Sequence, residues 1–369
     1  MKKNILFLLL LLIQLGVYAQ LDPIPLAPDG GNKRAAVSEQ IGLVKIEIKY
    51  NRPGVKGREG KIWNTPIAHY GMVDLGHGTS YTVPWRAGAN ENTTMSFSHD
   101  VKIEGKDLPA GTYGFFIMLG ETESTLIFSK NSTSWGSFYY EPEADALRVT
   151  VKNQTLPTSV EWLKYEFINQ TDNSATIAMS WEKRMIPFTV EADIHKIQMN
   201  EFREYFKSTR SYTDLITATN YCLQHNIELE QALAWMDRAV NLRIMGVKNF
   251  QTLSTQAAVL LRLNRTEEAK KIMEEALPTG TMQEVHGYAR MLLNANEIQE
   301  AAKVFKANYE KFPNKYTTLV GMGRAYSAQG DYKKALEFFK IALPQAPDNF
   351  NKNALEGMIK NLEQGKNIN

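Results

Sequence analysis

Two polar segments in the first half of the chain carry the residues best suited to bind an anion. Arginine contacts a carboxylate or phosphate through two parallel hydrogen bonds, and a nearby carboxylate can serve as a base or neutralise an arginine. The candidate ligand-binding residues are Arg52, Lys56, Arg58, Arg86, Asn90 and Glu91. The structural alternative is a partly buried salt-bridge network that fixes a long loop, because buried Arg–Glu pairs are commonly architectural.

A second candidate site lies in the second half, where the sequence has the period of helices. The register places one basic and aromatic stripe on the first helix of each helix pair, facing the concave side of a stack. The candidate peptide-binding residues are Tyr221, His225, Arg262, His286, Arg290, Asn294 and Arg324. Such a stripe suits an acidic peptide or a C-terminal carboxylate. The alternative is a solvated face, or a face covered by the protein's own first domain.

The sequence predicts no metal site, no cofactor and no catalytic residue. His69 and His77 lie eight residues apart in a glycine-rich loop, which falls short of three or four converging ligands. No Gly-x-Ser-x-Gly elbow is present, so nucleophilic acyl transfer of that kind has no support. Cys222, the single cysteine, lies in a helical pattern and is interpreted as a small buried apolar residue.

Residues 35–192 alternate with a period of two, which is typical of half-buried antiparallel strands. Val44, Ile46, Ile48 and Tyr50, for example, alternate with lysine and glutamate. About eight or nine short strands separated by turn signals predict a β-sandwich. The segment 51–92 departs from this pattern and predicts either a functional loop or a surface excursion packed down by aromatic residues, namely Trp63, Tyr70, Tyr81 and Trp85.

The hydrophobic period changes to 3.6 after Asp193, which predicts helices. Residues 193–212 are predicted to form a connecting helix, residues 213–349 four helix pairs, and residues 350–369 a capping helix and tail. The second helices centre on Ala232, Ala269, Ala301 and Ala335, each followed four places on by a bulky residue. Pro313 and Pro347 close the last two pairs, 34 residues apart, which is the spacing of a tetratricopeptide-type α-solenoid.

The N-terminus predicts export. Lys2 and Lys3 precede an apolar run from Ile5 to Ile13, and Val17-Tyr18-Ala19 suits cleavage before Gln20. We therefore interpret residues 1–19 as a signal peptide and residues 20–34 as an extended leader. The run is too short to cross a bilayer, which needs about 20 apolar residues, so no membrane span is expected after signal removal.

The charge balance bears on the partners. Without its two N-terminal lysines the chain has 40 basic and 40 acidic side chains. A neutral chain gives no electrostatic case for binding nucleic acid. We therefore expect a protein or peptide partner, held by the helical repeats.

The β region resembles an exported bacterial family of unknown function, DUF2911. The most distinctive stretch is residues 85–94, Trp-Arg-Ala-Gly-Ala-Asn-Glu-Asn-Thr-Thr, and Asn51–Glu59, Leu108–Tyr113 and Ser134–Ser137 also fit. The resemblance implies a β-sandwich exported from a Gram-negative cell, with helical repeats often attached. It implies no established reaction.

Taken together, the sequence predicts an exported, periplasmic or secreted, non-enzymatic scaffold of the cell envelope. The alternative is an envelope or glycan-directed hydrolase with its site around Arg58, Arg86 and Glu91. A purely structural exported protein is the third possibility. An open cleft lined by these three residues would favour the hydrolase, whereas a dry, fully paired cluster would favour the scaffold.

Overall fold

The computed structural model describes residues 31–79, 82–208, 211–244 and 246–369. The predicted signal peptide, residues 1–19, and most of the predicted leader, residues 20–30, lie outside the described residues. The first strand begins at Lys33, inside the segment interpreted as leader, because Lys33 and Arg34 already pair with Arg52 and Asn51 of the second strand. The chain divides into two compact units, up to Glu201 and from Phe202.

The first unit is an antiparallel β-sandwich, as the sequence predicted. In the described residues its strands are β1 Lys33–Ile41, β2 Val44–Arg52, β3 Thr93–Phe97, β4 Val101–Ile103, β5 Lys106–Leu108, β6 Gly111–Met118, β7 Glu123–Ser129, β8 Asp145–Lys152, β9 Gln154–Ile168 and β10 Ser174–Glu191. One sheet has the order β1-β2-β3-β6-β7-β8 and the other the order β5-β4-β10-β9. The inward faces of both sheets share one hydrophobic core.

The predicted alternation of apolar residues is confirmed in the strands. On β2 the apolar residues Val44, Ile46 and Ile48 are fully buried, whereas Lys45 and Lys49 are exposed. The buried positions of β10 change phase along the strand, from Ile177, Met179 and Trp181 to Ile186, Phe188 and Val190. The change falls at Glu182, whose backbone has a φ of 49° and where the register with β9 shifts, as at a β-bulge.

The long segment between β2 and β3 contributes to two hydrophobic clusters: Ile62 and Trp85 lie in the main core, and Val83 lies in a cluster on the outer face of the six-stranded sheet. Val83 packs on Phe116, Ile127 and Tyr140, which lie on the face turned away from the main core. Trp63 and Trp85 contact Trp181 with ring-centroid distances of 5.7 and 6.2 Å, and the Arg184 guanidinium donates to the Tyr70 hydroxyl. Trp63, Tyr70 and Trp85 thus pack the segment down as predicted; Tyr81 lies outside the described residues.

The second unit consists of helices arranged in pairs. With the preceding helix, the described residues form α1 Ile194–Ser208, α2 Tyr212–His225, α3 Leu229–Asn241, α4 Phe250–Arg262, α5 Thr266–Ala276, α6 Met282–Asn294, α7 Ile298–Lys311, α8 Tyr316–Ala328, α9 Tyr332–Ala342 and α10 Asn349–Glu363. The four predicted pairs are α2/α3, α4/α5, α6/α7 and α8/α9. None of the helices in the described ranges is long and apolar enough to span a membrane.

Each helix pair repeats the same local solution. The turn between its two helices contains an asparagine or glycine at positive φ, namely Asn226, Asn264, Asn296 or Gly330, and the first turn has Glu228 at positive φ as well. Asparagine and glycine tolerate this left-handed conformation, which ends a helix. The small residues Ala232, Ala269, Ala301 and Ala335 are buried, and so are the bulky residues four places on, Met236, Met273, Phe305 and Phe339. Both sets of residues therefore lie in the interior of the helical region, as the predicted close approach of the helices requires.

Candidate functional site

The structure divides the six candidate residues of the β domain into two groups. Three cations satisfy backbone carbonyls or an aromatic ring instead of converging on an acid. The Arg58 guanidinium donates to the carbonyl oxygens of Val55 and Gly54 at 2.9 and 2.7 Å. Arg52 Nε donates to the carbonyl of Leu163 at 2.8 Å, and the Lys56 ammonium lies over the ring of Trp162.

Arg86, Asn90 and Glu91 form the second group. Arg86 donates to the Asn90 carbonyl at 3.0 Å and stacks over Phe138, and burial lowers the pKa of its guanidinium. The Asn90 side chain lies within hydrogen-bond distance of the Asn51 side chain. The six residues therefore do not share one cleft, and the carboxylate of Glu91 pairs with none of the four predicted cations in the described part of the chain.

The partners of Glu91 are residues that the sequence reasoning missed. The carboxylate accepts hydrogen bonds from Arg34 and from the Asn51 amide, the latter at 2.7 Å. Burial alone would raise the pKa of Glu91, but hydrogen bonding by its backbone N–H and the charge of Arg34 outweigh it, so the pKa is lowered. Lys33 and Arg34 pair with the end of β2. This pairing could have been predicted only if the first strand had been predicted to begin at Lys33.

Glu91 borders an open pocket of about 560 Å³. The pocket is lined by Arg34, Ala35, Ala36, Lys49, Tyr50, Asn51, Glu91, Asn92 and Thr94. Of the six predicted residues only Glu91 contributes to this lining, and neither Arg58 nor Arg86 does. The geometry therefore provides a carboxylate and amides at the pocket, without the arginine clamp that the sequence suggested.

The helical candidates also separate into groups. Tyr221 and His225 are in ring contact on α2, and Asn294 is exposed at the last residue of α6. Arg262 borders a groove of about 530 Å³ whose walls include Leu223, Leu261, Tyr288 and Met291.

His286, Arg290 and Arg324 meet in a pocket between α6, α8 and α10. Its volume is about 250 Å³, and its lining contains both arginines and the histidine but no Asp or Glu. In the described ranges neither arginine has an ion-pair partner within 4.0 Å. The site therefore combines two cations with no compensating anion from the lining residues.

Arg324 is the most unusual member of this pocket. Its Nε is buried without a hydrogen-bond partner, and its two other nitrogens make only long contacts, to Asn369 Oδ1 at 3.3 Å and to Met358 Sδ at 3.7 Å. Burial and the charge of Arg290 lower the pKa of Arg324. A buried arginine with unused donors is costly unless a ligand pairs with it.

His286 has a matching environment. Its Nδ1 is buried without a partner and its ring contacts Phe305. Burial, followed by the charges of Arg324 and Arg290, lowers the pKa of His286 to about 4, so the imidazole is neutral at neutral pH. The walls contributed by α10, including Asn351 and Met358, were missed because the sequence identified this helix only as a cap.

No metal-binding cluster is formed among the described residues. His69 Nδ1 is buried without a partner, and burial lowers the pKa of the ring. The ring of His77 packs on Phe138. Cys222 is buried and its pKa is raised to about 11 by burial, which suits the apolar interpretation of this residue.

These features define a chain with a β-sandwich domain and a helical-repeat region. Residues 32–190 match the family model described as "Protein of unknown function (DUF2911)", and residues 292–356 match a tetratricopeptide repeat model. The first domain thus matches DUF2911, and residues 292–356 match the tetratricopeptide repeat, a module that presents an extended concave binding surface. Both resemblances drawn from the sequence are confirmed.

Among solved structures, the chain is similar to that entitled "Crystal structure of YrrB: a TPR protein with an unusual peptide-binding site". The identity is 20%, the match covers 44% of this chain and 86% of that chain, and the TM-score is 0.28. MamA, from residue 41 to its end, of Desulfovibrio magneticus RS-1 is 16% identical over 42% of this chain and 90% of that chain, with a TM-score of 0.28. No curated protein matches.

Proposed function

We propose that this protein is a non-enzymatic scaffold whose helical repeats bind an acidic group of a protein or peptide partner. The observation that carries the proposal is the pocket of His286, Arg290 and Arg324, in which two cations face a cavity whose lining has no acid. A carboxylate entering this cavity would supply the hydrogen-bond acceptor that Arg324 Nε lacks.

The size of the pocket suits a peptide end or an acidic side chain. Its volume of about 250 Å³ is small for a drug-sized ligand, since such pockets typically hold about 300–1,000 Å³. Arg290 is exposed on α6, whereas Arg324 is half-buried on α8. The exposed arginine would attract the acidic group, and the half-buried one would form the desolvated, charge-assisted hydrogen bonds that hold it.

The proposal includes export to the periplasm or the exterior of a Gram-negative cell. Its support is the sequence of residues 1–19, with two lysines, an apolar run and small residues before Gln20. Expression of the tagged full chain followed by fractionation and N-terminal sequencing tests it. A mature protein that begins at Gln20 in the exported fraction is expected, and an unprocessed chain in the cytoplasm would contradict export.

Binding can be tested with a defined probe. A fluorescein-labelled pool of random hexapeptides ending in Asp or Glu with a free carboxylate is titrated with the mature chain, residues 20–369, and followed by anisotropy. We expect saturable binding that Arg290→Glu with Arg324→Glu weakens by about 100-fold, since hydrogen bonds to charged groups contribute about 1.5–3 kcal/mol each. The single variant Arg290→Glu changes only an exposed residue, so that a loss of affinity in this variant is not caused by misfolding.

A matched control changes the charge equally at another place. Lys333 and Lys340 are exposed on α9 and do not line the pocket, so Lys333→Glu with Lys340→Glu should retain binding. The amidated peptide pool, without the terminal carboxylate, should bind less tightly. Equal losses of affinity in both double variants would mean that the effect comes from net charge alone. Unchanged affinity in the Arg290→Glu, Arg324→Glu variant would contradict the proposal.

A further inference from the structure

Two aromatic side chains of the β domain are exposed in one short loop. Trp135 and Tyr139 are 52% and 56% exposed, and both lie in the segment Asn131–Tyr140, which we call the aromatic loop. Leu43 is the other large hydrophobic residue exposed among the described residues of this domain. Exposed aromatic residues concentrated in one segment mark binding surfaces more often than chance placement does.

The aromatic loop is held in place by its neighbours. The backbone N–H of Asn92 donates to the Ser134 carbonyl at 3.3 Å, and the Asn92 side-chain amide donates to the Asn131 carbonyl at 3.1 Å. On the other side, Thr79 donates from its N–H and its hydroxyl to the carbonyls of Phe138 and Tyr140. Trp135 and Tyr139 are therefore displayed by a fixed backbone, which lowers the entropic cost of binding.

Arg86 supports the same loop from below. Its guanidinium stacks over Phe138 with a distance of 4.8 Å to the ring centroid, and it lies so close to Gly136 that a side chain at that position would collide with it. Gly136 has a φ of 58°, the left-handed region that glycine adopts without strain. The loop conformation is thus built into both the backbone and its packing.

The loop meets the open pocket of Glu91 at Asn92. Asn92 lines that pocket together with Arg34, Asn51 and Glu91, and its own Oδ1 is buried without a hydrogen-bond partner. Through its hydrogen bonds to Ser134 and Asn131, Asn92 joins the aromatic loop to the amide, carboxylate and guanidinium groups of the pocket. The charges of this pocket are balanced, because Arg34 pairs with Glu91 and Lys49 pairs with Glu47.

We propose that this face of the β domain binds a neutral saccharide. The C–H faces of a sugar ring pack on the flat faces of Trp135 and Tyr139, since aromatic side chains offer large apolar area with little entropy to lose. A sugar hydroxyl donates to the unpartnered Oδ1 of Asn92, and further hydroxyls, which both donate and accept, pair with the Glu91 carboxylate and the Arg34 guanidinium of the same pocket. A balanced pocket favours an uncharged polyhydroxyl ligand over an acidic or basic peptide.

The site is independent of the helical pocket, so its test does not depend on the proposed peptide binding. The mature chain is titrated by calorimetry and by tryptophan fluorescence with hexasaccharides of glucose, xylose, mannose and N-acetylglucosamine. We expect saturable binding of at least one, weakened about 10-fold by Trp135→Ala and by Tyr139→Ala, because one aromatic contact is worth roughly a factor of ten at most. Trp135→Tyr keeps an aromatic face and should restore most of the affinity.

The matched control removes an equally exposed ring elsewhere. Phe350, which is 81% exposed on α10, is changed to alanine and should leave sugar binding intact. Failure of all four hexasaccharides to bind at millimolar concentration would overturn the proposal. Binding that survives both Trp135→Ala and Tyr139→Ala would also overturn it, as would binding of a mixed peptide pool in place of every sugar.

Discussion

Arginines have opposite surroundings in the two halves of the molecule. In the β domain Arg58 directs two nitrogens at buried backbone carbonyls, and its guanidinium stabilises the chain itself. In the helical region Arg324 has a buried nitrogen without a partner and lies beside a second cation, Arg290. Residue type alone therefore does not identify a binding site. A buried cation becomes available to a ligand only where the fold leaves its hydrogen-bond donors unused.

The largest effect on stability is expected from the removal of Arg58. Arg58→Ala removes the guanidinium donors of the Gly54 and Val55 carbonyls, although the Val55 carbonyl keeps the backbone N–H of residue 58 as a donor. Since hydrogen bonds to charged groups contribute about 1.5–3 kcal/mol each, we expect the free energy of unfolding to fall by about 3 kcal/mol, at the low end for two bonds. Urea unfolding followed by tryptophan fluorescence reports on this domain, since five of the six tryptophans lie between residues 63 and 181.

The control for this variant is a nearby exposed cation. Lys61 is exposed in the same long segment, so Lys61→Ala should change stability by less than about 0.5 kcal/mol. If Arg58→Ala behaved like Lys61→Ala, Arg58 would be as dispensable as a solvated lysine, and the assignment of a structural role would be wrong.

In the helical region, the pH dependence of stability tests the burial of His286 beside Arg324 and Arg290. The pKa of His286 is about 4 in the folded state against an ordinary 6.5, because of burial and then of Arg324 and Arg290. The unfolded chain therefore binds a proton more readily, so stability is fully present above about pH 6.5 and is lost as the pH falls towards about 4. At about 1.4 kcal/mol per pH unit, reduced for partial exposure, the loss at pH 4.5 is about 2 kcal/mol.

The measurement is a comparison of two unfolding curves. Urea unfolding followed by helical circular dichroism at pH 7 and pH 4.5 is carried out on the natural chain and on His286→Phe, which keeps an aromatic ring beside Phe305. The variant should lose about 2 kcal/mol less between the two pH values. An identical loss in both proteins would show that His286 is solvated enough to titrate normally.

Gly136 tests how firmly Arg86 is fixed under the aromatic loop. Gly136→Ala adds a methyl group that meets the Arg86 guanidinium at a position with a φ of 58°. We expect a loss of about 2 kcal/mol in the free energy of unfolding, from left-handed strain plus collision with the guanidinium. Gly57→Ala is the matched control, because Gly57 also has positive φ but open space around it, and it should lose only about 1 kcal/mol. Equal losses would remove the packing argument.

The fold could be predicted from the sequence in more detail than the sites. Alternation on β2 and the buried alanines of the second helices follow from local periods of two and 3.6, which each segment carries by itself. The pairing of Glu91 with Arg34 joins residues 57 positions apart, and no local period encodes such a contact. Likewise, the lack of a hydrogen-bond partner for Arg324 Nε depends on which side chains α10 places beside it. This lack could therefore be recognised only from the three-dimensional structure.

The two alternatives weighed for Glu91 also had to be decided by packing. A string of polar residues, such as residues 85–94, reads the same whether its cations bind carbonyls, rings or ligands. Arg52 binds the carbonyl of Leu163 on β9, and Arg58 binds the carbonyls of Gly54 and Val55 in the segment that follows β2. A prediction based on side-chain types does not take backbone carbonyls into account. These carbonyls bind the two arginines, which are therefore not available at the predicted site.

The smallest effect on stability is expected for Arg324, the arginine of the helical region that contrasts with Arg58. Arg324→Met removes a desolvated charge that has weak partners, and replaces it with an apolar chain of similar length beside Met358. Since a buried charge without a partner costs free energy, we expect stability to stay within about 0.5 kcal/mol of the natural chain or to rise. Helical circular dichroism in urea measures it. A loss above about 1.5 kcal/mol would mean that Arg324 stabilises the stack as Arg58 stabilises the sandwich, and the distinction between a structural and an available arginine would then collapse.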